Sequence, residues 1–216
     1  MIKLTPLKLN LDICEAQLNE FKDLLDENIE LKEGGPGGLL EFFGNRPHLV
    51  LLIGKWRFAM DAAFYQRELN IFNEFRADFS IADSKKQNYL FIELEPAKND
   101  SIFVEKENSG SIRFEWSPRY EHGLSQVIDW FYRLDDYERT YKMEEHFGHS
   151  KINYSGLLII GRDCFVNEAG SMQRFNWRKE KTVINNNKIH CITYDQLYIE
   201  LEEKLFTIRA EVEGYL

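Results

Sequence analysis

With 216 residues, 44% of them hydrophobic and 14% aromatic, the chain has enough material for one domain and is not a disordered polypeptide. A net charge of −9 speaks against a uniformly basic nucleic-acid-binding surface, although the acids of a metal site would inflate that total, and how charge is distributed matters more than its sum. Cys14, Cys164 and Cys191 are far apart and exclude a disulfide scaffold, no apolar run is long enough to span a membrane, and Met1–Pro6 lacks the core of a signal peptide, so a cytoplasmic protein is expected.

From Cys14 to Leu31, the residues Cys14, Leu18, Phe21, Leu25 and Ile29 recur at helical spacing, with acids on the other faces, and predict an amphipathic helix. Gly34–Gly38 breaks the chain without the Gly-Lys-Ser/Thr ending of a phosphate loop, and reads as a connector. A short helix is expected at about Leu39–Gly44, then an apolar strand at Leu49–Gly54.

The most informative stretch follows. Glu74–Ile81 alternates polar and apolar residues, and Tyr89–Glu95 is rich in strand formers, so the two predict a hairpin turning at Asp83–Asn88. With the turn centred between Lys85 and Lys86, Ile81 faces Leu90, Phe79 faces Ile92 and Ala77 faces Leu94 on a wholly apolar side. The other side pairs Ser80 with Phe91, Asp78 with Glu93 and Arg76 with Glu95. Like charges directly opposite destabilise a sheet. A divalent cation held by hard oxygens would compensate. So would Arg76 as a surface ion pair, and a bulge in the turn would separate the two acids altogether.

Beyond the hairpin, Asn99–Trp116 is expected to be a loop. Ser117-Pro118 then opens a helix to about Leu134, with Leu124, Val127 or Ile128, Phe131 and Leu134 inward and Arg119, His122, Gln126 and Arg133 on other faces. A strand at Gly156–Gly161 precedes a helix near Glu168–Lys179 that carries Arg174, Arg178 and Lys179 among aromatics. That basic segment either contacts nucleic acid or is an ordinary solvated face. A strand at Lys188–Ile192 and the capping box Thr193–Gln196 lead into the final helix. Helices alternating with short strands give an α/β domain with a central mixed sheet flanked by helices. His146 and His149 lack further zinc ligands nearby, Ser109-Gly110-Ser111 lacks the setting of a nucleophile elbow, and the acids have no sugar-stacking cleft beside them to favour glycoside cleavage.

A hairpin bearing Asp and then Glu-x-Glu, followed by a helix and another strand, resembles the restriction-endonuclease-like core, whose signature is an Asp on one strand and Glu/Asp-x-Lys on the next. Phe42–Pro47, Arg76–Phe79 with Glu93–Ala97, His122–Trp130 and Thr193–Leu197, in that order, resemble the Shedu antiphage nuclease family over roughly Leu39 to Leu205. The resemblance implies an N-terminal helical extension at residues 1–36, a nuclease domain at 37–216, DNA as substrate, Mg²⁺ or Mn²⁺ as cofactor and self-association. Asp78 and Glu93 would hold the ion, helped by the Leu94 carbonyl. Glu95 and Gln126 would complete the catalytic set, with Lys98 and His122 in support. The departure is Glu95, which stands where the superfamily usually has Lys. A glutamate can accept a proton but brings no positive charge. A degenerate module that binds nucleic acid or a protein without cutting is therefore the rival expectation.

Overall fold

A seven-stranded mixed sheet organises the computed structural model, which describes residues 1–57, 61–108, 110–167, 171–185 and 187–214. In chain order the elements are β1 (Thr5–Pro6), α1 (Leu11–Glu27), α2 (Leu39–Gly44), α3 (Pro47–Arg57), β2 (Ala62–Ile71), β3 (Phe75–Asp83) and β4 (Asn88–Leu94). There follow β5 (Phe103–Asn108), β6 (Ser111–Trp116), α4 (Pro118–Asp136), α5 (Tyr141–Phe147), β7 (Asn153–Ile159), α6 (Asp163–Val166), α7 (Ser171–Lys181), β8 (Val183–Ile184), β9 (Asn187–Ile192) and α8 (Tyr194–Glu213).

The sheet runs β1-β2-β3-β4-β7-β9-β8. Strands β1 to β4 pair antiparallel, whereas β4, β7 and β9 pair parallel. Two apolar clusters cover its faces. One joins Phe79, Ile81, Leu90, Ile92 and Leu94 to α1, α3 and α8. The other joins Tyr89, Phe91 and Leu158 to α4 through Leu124, Val127, Trp130 and Phe131. The fold is therefore α/β, with helices on both faces of the sheet. No helix among the described residues is long and apolar enough to cross a membrane.

Helix caps follow the sequence closely. The Ser117 hydroxyl accepts from the Tyr120 N–H at 3.0 Å, with Pro118 in the first turn, and Thr193 accepts from the Gln196 N–H at 3.2 Å. Helix α1 starts three residues earlier than its apolar spacing indicates, because the Asn10 side chain caps Asp12 and Ile13. It ends at Glu27, leaving Ile29 outside the helix and exposed.

Two expectations are corrected. Leu49–Gly54 is not a strand but the interior of α3. Its residues Leu49 to Ile53 are all essentially buried, and a short apolar run buried all round has no period that separates helix from strand. Asn99–Trp116 is not a loop throughout: β5 and β6 pair from Phe103↔Trp116 to Asn108↔Ser111. Ser109 lies outside the described residues, as does Glu168, where the helix now seen as α7 was expected to begin.

Candidate active site

The β3–β4 ladder has the register that the alternation predicts: Phe79↔Ile92, Ser80↔Phe91, Ile81↔Leu90 and Ala82↔Tyr89. It stops there. One step on, Asp78 is level with Glu93, and the Asp78 carboxylate takes the place of the missing backbone acceptor by receiving the Leu94 N–H at 2.8 Å. Glu68, level with Asp78 on β2, sits in the left-handed region at φ 52°. The side-chain alternation breaks at the same point. Ala77 packs with Leu69 and Ile71 in the cluster on the α4 side rather than opposite Leu94 as expected. Arg76 does not reach Glu95 either. It pairs instead with Glu68, at 3.9 Å and largely exposed.

Glu93 and Glu95 share the face that looks toward α4 and are buried. Glu95 is fixed through its backbone, whose N–H donates to Ile159 and whose carbonyl accepts the Tyr194 hydroxyl at 2.8 Å. Helix α4 presents Arg119, His122, Gly123 and Gln126 to the acids, an i, i+3, i+4, i+7 stripe. Gly123 permits the approach, since a Cβ there would lie 2.9 Å from Glu95 Cγ and 2.7 Å from Leu158 Cδ1. Gln126 Nε2 donates to Glu93 Oε1 and lies 3.3 Å from His122 Nε2. Glu93 Oε2 is buried with no hydrogen-bond partner.

A fourth carboxylate arrives from a segment that sequence periodicity does not reveal. Leu31 and Ala97 form an antiparallel bridge with reciprocal 2.9 Å hydrogen bonds. Continuing that register by two residues brings Glu33 level with Glu95. The connector beyond it is tight, because Gly38 packs where a Cβ would sit 2.7 Å from the Glu33 carbonyl oxygen.

Electrostatics reflect this crowding. Burial pushes Glu95 up to about 7, with Glu33 and Asp78 adding repulsion and Arg119 opposing it. Glu93 is raised furthest, first by burial and then by Asp78, Glu95 and Glu33, with the Gln126 hydrogen bond as partial relief. Asp78 is raised by burial despite its bond from Leu94. Glu33 is also raised by burial, while Arg119 and His122 moderate it. The cation beside Glu95 is thus Arg119. Lys98 lies in the turn after Pro96, where its N–H donates to Ser101 Oγ at 2.9 Å.

The basic residues Arg174, Arg178 and Lys179 stand on α7, the helix expected to carry them. Arg174 donates to the Phe114 carbonyl, Arg178 holds Glu121 through two hydrogen bonds, and Lys179 lies 3.3 Å from Gln196 Oε1.

The family model described as Shedu protein SduA, C-terminal, matches residues 38–198. The chain belongs to the Shedu family. That match covers every hairpin acid and the whole α4 stripe, and it links the chain to antiphage defence. Glu33 lies just outside it. No curated protein matches the chain significantly.

The donor set suits a hard divalent cation. Glu93 has a buried oxygen in want of a partner, and Asp78 stands level with it. Among the described residues no group of three or more His, Cys, Asp and Glu side chains is arranged to hold an ion. Asp78 and Glu93 would thus be the only carboxylates offered to such an ion, which would keep most of its shell for water and phosphate.

Proposed function

We propose that this Shedu-family chain is a metal-dependent DNA endonuclease built on a restriction-endonuclease-like core, acting in the cytoplasm as a homo-oligomer. The observation that carries the reading is the Glu93 carboxylate. It is buried and repelled by Asp78 and Glu95, yet one of its oxygens has no partner, an arrangement that costs stability unless a proton or a cation completes it. Asp78 and Glu93, with the Leu94 carbonyl, are the residues that would hold Mg²⁺ or Mn²⁺. When bound, such an ion polarises a phosphodiester and lowers the pKa of water.

The remaining roles follow from position. Gln126 fixes the Glu93 carboxylate, and His122 supports Gln126 from the rim. Glu95, with a proton affinity near neutrality, is matched to accepting a proton from the attacking water. Arg119 supplies the positive charge that the superfamily's lysine would bring, and Lys98, just past the strand, would support it. In this reading Arg174, Arg178 and Lys179, the basic residues of α7, meet the DNA backbone.

A second reading is favoured by Glu95 itself and by the sparse ligand set: a module that binds nucleic acid or a protein and no longer cuts. Linkage separates the two. In the nuclease, Mg²⁺ or Mn²⁺ raises the melting temperature of the wild type and not of Asp78→Ala, and plasmid nicking requires the same ion. A protein that binds DNA but shows neither response is the non-cutting module.

A further inference from the structure

On α7, four cations stand against one carboxylate in a chain whose overall charge is −9. Trp177 is among them and is 64% exposed, an unusual position for the largest apolar side chain. It borders a concavity of about 620 Å³ lined by Trp116, Gln173, Arg174, Arg178, Lys181 and Thr182. That volume is in the range of small-molecule sites.

The walls are held in place. The Arg178 guanidinium lies 4.5 Å over Trp116 and 4.9 Å over Tyr120 while bonded to Glu121, and this ties α7 to the first turn of α4. Arg174 lies 5.1 Å over Phe103 and 5.4 Å over Trp116. Glu121 and His122 are neighbours on α4, so the concavity and the acid cluster occupy adjacent sectors of one helix.

We propose that this concavity seats one unpaired base of a DNA strand, stacked on Trp177, with the flanking phosphates against Arg174 and Lys181. An exposed indole offers a π-face to any base, and cations beside it meet the backbone, which is how single strands are gripped without sequence readout. The charge favours a polyanion, and the flat aromatic face favours one with bases. The inference rests on the nucleic-acid half of the proposed function and not on cleavage.

The test is binding in EDTA, where cutting plays no part. Fluorescence anisotropy would compare a labelled single-stranded 12-mer, an abasic 12-mer of equal charge and a blunt duplex. The wild type binds the normal single strand most tightly, and Trp177→Ala weakens that binding by at least about fivefold. Trp177→Phe retains most of the affinity, and the abasic strand is indifferent to both changes. Equal affinity for normal and abasic strands, no effect of Trp177→Ala, or no DNA binding at all would overturn the proposal. So would a polyglutamate that binds as tightly and with the same dependence on Trp177, since the occupant would then be an acidic protein. Plasmid cleavage by Trp177→Ala is scored separately. Loss of stacking with nicking intact leaves the nuclease standing, and stacking without nicking in any variant removes the nuclease and keeps the base site.

Discussion

Gly123 on α4 faces Glu95 on the continuation of β4 so closely that a single methyl would come within 2.9 Å of the Glu95 side chain. Leu158 crowds the same point from β7 at 2.7 Å. The helix that carries His122 and Gln126 is seated against the acids only because this position has no side chain. Gly123→Ala should therefore cost about 1–3 kcal/mol through overpacking. It should also displace Glu95, lowering activity beyond what the stability change explains. Urea unfolding beside specific activity checks both, and an unchanged unfolding midpoint would show that the approach is not tight.

The buried acids set a pH dependence with a definite sign. Glu95 titrates near 4.5 when unfolded and about 7 when folded, so over that window the folded state keeps a proton that the unfolded chain releases. The stabilisation is full below the lower value and is lost as pH rises through the upper one. Asp78 and Glu93 shift in the same direction. The metal-free protein should lose about 2 kcal/mol or more between pH 4.5 and pH 7.5. Glu93→Gln should reduce that slope, gaining stability at pH 8 and little at pH 5. Denaturant midpoints across pH measure this, and a rise in stability over the window would contradict the burial argument.

Arg119 is exposed, and its removal should leave folding within about 0.5 kcal/mol of wild type. Without it Glu95 loses the cation that favours its charged form and its pKa climbs further. The acidic limb of the pH–rate profile should then move to higher pH in Arg119→Ala and return toward wild type in Arg119→Lys. A profile unmoved by Arg119→Ala would take this residue out of the site.

Arg76 makes a loose pair with Glu68 at 3.9 Å, both side chains being at least half exposed. Arg76→Ala should change stability by less than about 0.5 kcal/mol and leave cleavage intact. Loss of activity at unchanged folding would instead make its charge part of the Asp78 environment.

The hairpin was readable because strict alternation admits one register that buries Phe79, Ile81, Leu90 and Ile92 together. Opposition of Asp78 and Glu93 followed from that register. The break at Asp78 did not, since it coincides with the left-handed Glu68 on β2, a strand whose residues carry no clear alternation. Full burial erases the periodicity of α3 and leaves it indistinguishable from a strand, although Pro47 at its first position is a usable start signal. Arg119 could have been found, for Arg119, His122, Gly123 and Gln126 form a helical stripe with a small residue at its centre. Glu33 could not. Only the Leu31–Ala97 bridge carries it to Glu95, and nothing local in the sequence encodes a contact across that separation.

The most direct test of the central claim is strand cleavage of supercoiled and linear DNA by wild type and Glu93→Gln, with Mg²⁺ or Mn²⁺ and with chelator. The account predicts ion-dependent breaks by the wild type alone, while Glu93→Gln remains folded and at least as stable at pH 8. Equal inertness of both proteins on every DNA form, or equal cutting by both, would contradict it.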